Sequence, residues 1–326
     1  MFLGVDGGGT KTALCLVDGE GCIVAQAQAP GCYYFAGGMD LVGRVLQKGV
    51  DEICRQAGIT PAGIDHAFFG LPGYGEVSGD VPALDAAPGG VLGHDRYACG
   101  NDTVCGWAGS LGGSDGINVV SGTGSITYGE RAGRGVRVGG WGEVFGDEGS
   151  AYWISIRGLG AFSQMSDGRL PVGPLHGMLR ERLDLMDDLD LVGIVLNQWQ
   201  GGRSEIAGLS QTVVEAAYAG DDCAARIVTE AAGELAKMVD VTRRRLEFGA
   251  DETVPVSYSG GVFNADSIKV AFDAALADLY GGYELCAPLY TPVVGAAIYA
   301  ANLAKMSLHG AALRRLRATQ QESHLD

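Results

Sequence analysis

Basic residues are scarce in this 326-residue chain: 23 Lys and Arg stand against 39 Asp and Glu, a formal net charge of −16. Such an acidic surface repels phosphate backbones and anionic lipid, which argues against nucleic acid and membrane as partners. It also means that a nucleotide site must rely on donors close at hand, because the global field opposes a polyphosphate. Long apolar runs are lacking too. The most apolar stretch near the C-terminus, residues 293–303, is too short and too rich in Ala and Gly to span a bilayer. The chain opens almost directly on a strand pattern, Phe2-Leu3-Gly4-Val5, without the basic segment and apolar core of a signal peptide. The eight cysteines form no C-x-x-C pair, and His66, His94, His176, His309 and His324 show no metal-ligand spacing. The cysteines read as reduced, mostly buried thiols, and the expected location is the cytoplasm.

Glycine, by contrast, is abundant: 54 residues, about one in six, against an ordinary share of about 7%. The glycines have no repeating period and cluster at turns between apolar runs, where backbone approaches a ligand or takes positive φ. The fold class is α/β, and the length suits one large domain or two ordinary ones.

The N-terminal pattern is strand, Gly-rich turn, strand (MFLGV, DGGGTK, TALCLV), then CIVAQAQA as a third strand of an antiparallel meander. Apolar spacing predicts a helix over 39–57. HAFFGL is a short strand, and residues 72–93, rich in Gly, Pro and Asp, read as a loop. RYACG leads through Asn101-Asp102 into a short helix. At Gly116 the opening unit recurs as GINVV, SGTGS and ITYGE, suggesting two similar halves. Residues 150–248 are mainly helical, the clearest helix running from Asp221-Asp222 toward Gly249. The strand TVPVSYS, helices over 265–279 and 293–304, and a polar, exposed tail after Met306 complete the pattern.

Five segments carry chemistry. In the first turn, Gly7, Gly8 and Gly9 line a concave backbone, Thr10 and Thr12 add hydroxyls and Lys11 adds charge, a set that cradles phosphate oxygens. Asp6, at the strand end, is placed to hold Mg²⁺ through water. A plain hairpin is the alternative, although three glycines followed by Thr-Lys-Thr exceed what a hairpin needs. A Walker loop is excluded, since Gly9 is followed by Thr10 and the next element is a strand. The second turn, Gly122, Thr123 and Gly124, is weak alone and reads as a second phosphate jaw only as part of the duplicated unit. Asn101 and Asp102 sit where a strand meets a helix. They read either as a helix cap or, for Asp102, as a general base taking a sugar hydroxyl proton. Residues 139–153, GGWGEVFGDEGSAYW, set Asp147 and Glu148 among glycines, which suits a polyol, with Trp141 on a sugar face. The competing reading is a capping loop with a core tryptophan. Gly260, Gly261 and Asn264 either let adenosine lie on the backbone or form an ordinary strand–helix turn.

In order and spacing, from Met1 to about Leu303, DGGGTKT, SGTGS, GGWGEVFGDEGSAYW and SGGV resemble the motifs of the N-acetylglucosamine kinase / BadF-type ATPase family, within the actin–hexokinase–Hsp70 superfamily. The resemblance implies two ribonuclease-H-like (actin-like ATPase) domains around a central cleft, here 1–101 with helix 293–305 returning to it, and 102–292. It implies Asp102 as catalytic base and Thr10 and Thr123 on the ATP phosphates. It sets Ser125, Gly140, Trp141, Gly142 and Asp147 at the sugar. Family sugar kinases carry an Asn-containing loop after the third strand. Here that stretch is Gly31-Cys32-Tyr33-Tyr34-Phe35, making Tyr33 and Tyr34 candidate sugar contacts. The implied activity is ATP- and Mg²⁺-dependent phosphorylation of N-acetylglucosamine or glucosamine at the 6-hydroxyl, by a homodimer. The alternative is a BadF-like ATPase that energises a partner enzyme, a branch whose Fe–S cysteine pattern this chain does not present.

Overall fold

The computed structural model describes residues 1–322. Along the chain lie β1 (Phe2–Gly7), β2 (Lys11–Val17), β3 (Ile23–Pro30), α1 (Tyr34–Gly37), α2 (Met39–Ala57), β4 (His66–Leu71), α3 (Val81–Leu92), β5 (Tyr97–Asn101) and α4 (Asp102–Leu111). There follow β6 (Gly116–Ser121), β7 (Ser125–Arg131), β8 (Arg134–Gly139), α5 (Ala151–Ser166), α6 (Pro174–Arg182), α7 (Asp190–Gly193), α8 (Arg203–Ala207), α9 (Ser210–Tyr218) and α10 (Asp222–Arg245). The last elements are β9 (Val254–Ser259), α11 (Asp266–Leu279), β10 (Tyr283–Cys286), α12 (Pro292–Leu303) and α13 (Gly310–Glu322).

Two compact units result: unit 1 is Met1–Asp115 with the chain from Ala287 onward, and unit 2 is Gly116–Cys286. Each holds a five-stranded mixed sheet, ordered β3-β2-β1-β4-β5 in unit 1 and β8-β7-β6-β9-β10 in unit 2. In both, the first three strands are an antiparallel meander and the last two join in parallel. This is the ribonuclease-H-like arrangement, present twice, so the recurrence at residue 116 is structural as well as sequential. The division falls at 115/116, whereas the sequence placed it at 101/102. The reason is packing: α4 lies against α12 and β4 of unit 1.

In unit 1, α2 buries Val42, Val45, Leu46, Val50 and Ile53 on one stripe against Leu3, Val5, Leu14 and Leu16 of the sheet. Each such fully buried aliphatic side chain contributes roughly 1.5–3 kcal/mol. The helix ends at Gly58, whose N–H satisfies the Cys54 carbonyl. In unit 2, α10 runs across β6, β7 and β8. Asp221 caps it, accepting from the N–H groups of Cys223 and Ala224 at 3.0 Å each, and Arg243, Arg244 and Arg245 fill its last turn, complementing the dipole.

Two expectations are corrected. Within the predicted loop 72–93, residues 81–92 form α3. Pro82 stands in the first turn, where an N–H has no helical partner anyway, and Leu84, Pro88 and Leu92 share one buried face. The tail after Met306 is no exposed strand of polar chain: α13 packs on unit 1 with Ala312 and Leu316 buried. The tail's end and His324 lie outside the described residues. All eight cysteines are free; Cys15, Cys32, Cys54 and Cys105 are buried and the other four partly so.

Candidate active site

Unit 1 gathers the first group at one end of its sheet. Residues 8–10 join β1 to β2, closed by the Gly8 N–H donating to Lys11 O at 2.9 Å. Gly9, Thr10 and Lys11 are exposed on this turn. Thr12 is not: it is fully buried and its hydroxyl donates to Pro30 O at 2.9 Å, because strand alternation turns it inward where Lys11 points out. The segment after β3 backs the turn. The Cys32 N–H donates to Gly8 O at 3.1 Å. A Cβ on Gly31 would lie 2.1 Å from Gly9 O, so only glycine permits this approach.

Parallel pairing sets Asp6 beside Gly70, and Leu71 beside Asn101, bringing the ends of β1, β4 and β5 together. Asn101 caps α4: its Oδ1 accepts from the Thr103 N–H at 3.2 Å, and its Nδ2 donates to Tyr74 O at 3.2 Å. The capping role thus falls to Asn101, and Asp102 occupies the first helical turn, where the dipole favours a carboxylate. Asp6 records the crowding. Its carboxyl is pushed up to about 7, first by burial and then by the Asp102 charge, against the pull of Lys11 and the Cys105 thiol. Of the two candidate tyrosines, Tyr34 is 6% exposed and joins the unit 1 core, stacked on Phe35 with centroids 4.3 Å apart. Tyr33 is half-buried and meets Phe35 edge-on.

Unit 2 brings three segments together. The turn of residues 122–124 closes with the Gly122 N–H donating to Gly124 O at 2.9 Å, leaving Thr123 exposed. The loop after β8 folds back on it: Ser121 Oγ donates to Gly149 O at 2.9 Å, Ser125 Oγ to Glu148 O at 2.7 Å, and the Ala151 N–H to Gly122 O at 2.8 Å. The third segment follows β9. Gly260 has φ 98°, and a Cβ there would lie 2.2 Å from Ser121 O, so glycine is required on both counts. Asn264 is exposed at the end of the following 3₁₀ turn.

The capping-loop reading of residues 139–153 accounts for only part of what is seen. Ser150 does cap α5, accepting from the Trp153 N–H at 3.1 Å. Trp141, however, is 72% exposed beside exposed Val144 and Phe145, so it is no core tryptophan. Gly140 and Gly142 flank it with positive φ. Glu148 is half-buried. Asp147 is only 3% exposed and held at φ 55°. Burial pushes its carboxyl up from the usual range; the Arg203 guanidinium and the N–H groups of Gly142 and Ser125 oppose this, while Glu143 adds to the rise. Arg203 opens α8, donates through Nη2 to Asp147 Oδ2, and sets Nε 3.3 Å from Glu143 Oε2. Nothing in the sequence singled out Arg203, which lies 56 residues from Asp147 in a segment without a motif.

A model of the BadF/BadG/BcrA/BcrD ATPase family matches residues 3–300, and the chain belongs to that family. It is similar to the N-acetyl-D-glucosamine kinase of Dictyostelium discoideum, 28% identical over 316 residues, 94% of this chain and 99% of the relative. It is also similar to the N-acetylmuramic acid/N-acetylglucosamine kinase of Clostridium acetobutylicum, 30% identical over 266 residues, 80% of this chain and 85% of the relative. A solved structure from Chromobacterium violaceum, of a protein proposed to be an N-acetylglucosamine kinase, is 26% identical. It superposes with a TM-score of 0.67 over 90% of this chain and 96% of the other.

Proposed function

We propose that the protein is an ATP-dependent amino-sugar kinase that phosphorylates N-acetylglucosamine or glucosamine at the 6-hydroxyl, with Asp102 as general base. Kinship with the two curated kinases supports the substrate class. The observation that carries the chemistry is the grouping of turn 8–10, Asp6 and Asp102 at one end of the unit 1 sheet.

The roles follow from the donors present. The N–H groups of Gly8 and Gly9, the Thr10 hydroxyl and Lys11 bind phosphate oxygens in unit 1, and Gly122, Thr123 and Gly124 do so in unit 2. Gly260, Gly261 and Asn264 receive the adenosine. The donor chemistry fits a hard divalent cation, since burial first and the Asp102 charge second push the Asp6 carboxyl up to about 7, and a cation favours the ionised forms of both carboxylates. Asp6 would hold Mg²⁺ through water. When bound, MgATP supplies the phosphoryl group, and the cation neutralises charge on the phosphates. Asp147 and Glu148 accept sugar hydroxyls, Trp141 packs on the ring, and Gly140, Gly142, Ser125, Asn101 and Tyr33 border the sugar. Asp102 accepts the proton of the attacking 6-hydroxyl, a contribution of about 10²–10⁴ in rate.

The test is ADP release across a panel of sugars, with NMR of the product to read which oxygen carries phosphate. Stimulation by an amino sugar, with a 6-phosphate product, is expected. Turnover that no sugar raises above the basal ATPase rate refutes the kinase reading.

A further inference from the structure

Asp147 is an unusual carboxylate. It is almost wholly buried on a left-handed backbone that L residues seldom adopt, and it lies against the second glycine turn. A Cβ on Gly124 would stand 2.5 Å from Arg203 Nη2 and 2.6 Å from Asp147 Oδ2, so the ion pair rests directly on that turn. A carboxylate offers about four acceptor positions. Arg203 takes one through Nη2, and the N–H groups of Gly142 and Ser125 favour the ionised form. Acceptor capacity is left for a ligand hydroxyl. The charged groups facing Asp147 are Arg203 and Glu143, and Glu143 shares the same guanidinium.

We propose that Arg203 is the positioning residue of the sugar site: it fixes the Asp147 carboxylate in place and keeps it ionised, so that its remaining acceptor capacity meets a sugar hydroxyl. Arg203 also ties that carboxylate to the turn of residues 122–124, linking the group that reads the sugar to a segment assigned to phosphate. The inference rests on the kinase reading above. A planar guanidinium suits the role, because its fork serves Asp147 through Nη2 and Glu143 through Nε at once, which an ammonium cannot do in the same geometry.

The experiment compares wild type, Arg203→Ala, Arg203→Lys and Glu143→Gln by steady-state kinetics with N-acetylglucosamine from pH 5 to 9, alongside thermal melting. Arg203→Ala is expected to raise KM for the sugar at least ~10-fold, leaving KM for ATP within ~2-fold. The acid limb of kcat/KM for the sugar should move to higher pH, since the charge that lowers the Asp147 pKa is gone. Glu143→Gln should move that limb the other way. Arg203→Lys should restore the limb but only part of KM. If Arg203→Ala melts too low to assay, a raised sugar KM with a wild-type limb in Arg203→Lys, and a limb displaced to lower pH in Glu143→Gln, decide. Wild-type KM and acid limb in a folded Arg203→Ala variant, or in the fallback a wild-type sugar KM in Arg203→Lys with an undisplaced limb in Glu143→Gln, overturns the role of Arg203 alone. A wild-type enzyme inert toward every amino sugar overturns both this role and the kinase reading.

Discussion

Asp6 and Asp102 sit close enough that the charge of Asp102 helps push the Asp6 carboxyl up to about 7, although 96 residues separate them in the chain. Two carboxylates at one sheet end are costly for folding and useful for chemistry: one suits a water-bound cation, the other a proton. The first test follows directly. Asp102→Asn should lower kcat by at least ~10², with ATP affinity kept or improved because a repulsive charge has gone. Single-turnover assays with nucleotide titrations read both; near-normal turnover returns Asp102 to a role in the helix terminus only.

The same pair predicts a pH dependence of stability. Asp6 has a folded pKa near 7 against 3.8 as its ordinary value. The folded state therefore binds the extra proton, and stability falls as pH rises between these values. Without metal or nucleotide, Asp6→Asn should raise the melting temperature relative to wild type at pH 8 and do so less at pH 5. Equal displacements at both pH values would show that Asp6 does not carry this burden.

Gly31, after β3, and Gly260, after β9, each press on backbone beside a glycine turn. A Cβ would come within 2.1 Å of Gly9 O in the first case and 2.2 Å of Ser121 O in the second. Gly31→Ala and Gly260→Ala should each cost at least ~2 kcal/mol. Both should weaken ATP binding, as measured by denaturant melts and calorimetry. A loss of stability with unchanged nucleotide affinity would separate the glycines from the phosphate surface.

α13 supplies a test of the fold. Leu316 is fully buried, and the Ala312 backbone carbonyl would stand 2.1 Å from a Cβ on Gly21. Leu316→Ala should cost about 2–5 kcal/mol, and Arg314→Ala, on the exposed face, almost nothing. Equal melting temperatures for the two variants would deny the docking.

Thiol chemistry offers one more. Burial raises the thiols of Cys15 and Cys99 to about 12 and also raises Cys32, Cys54, Cys105 and Cys286. The thiolate is the reacting form. Iodoacetamide on the native protein near pH 7.5 should label Cys22 and Cys223 first, and all eight after denaturation, read by mass spectrometry. Early labelling of Cys15 or Cys105 would contradict the burial.

Much of this protein is determined by local sequence. The strands β1 to β4 and helix α2 follow from apolar period and glycine punctuation, and both halves announce themselves by the same strand–turn–strand unit. The two glycine turns and the Asp147 loop are legible because each is a short contiguous stretch whose backbone chemistry needs no distant partner. α3 and α13 are not legible in the sequence, because proline, glycine and arginine outweigh a stripe of buried residues spaced by four, Leu84-Pro88-Leu92 and Ala312-Leu316-Gln320. What only the tertiary structure decided is pairing at a distance. That Asp6 meets Asp102, that Thr12 turns inward, that Trp141 stays outside and that Arg203 grips Asp147 all depend on which strands lie side by side and which loop folds back. Those are through-space contacts between residues far apart in sequence, set by sheet order and burial, and no local pattern encodes them.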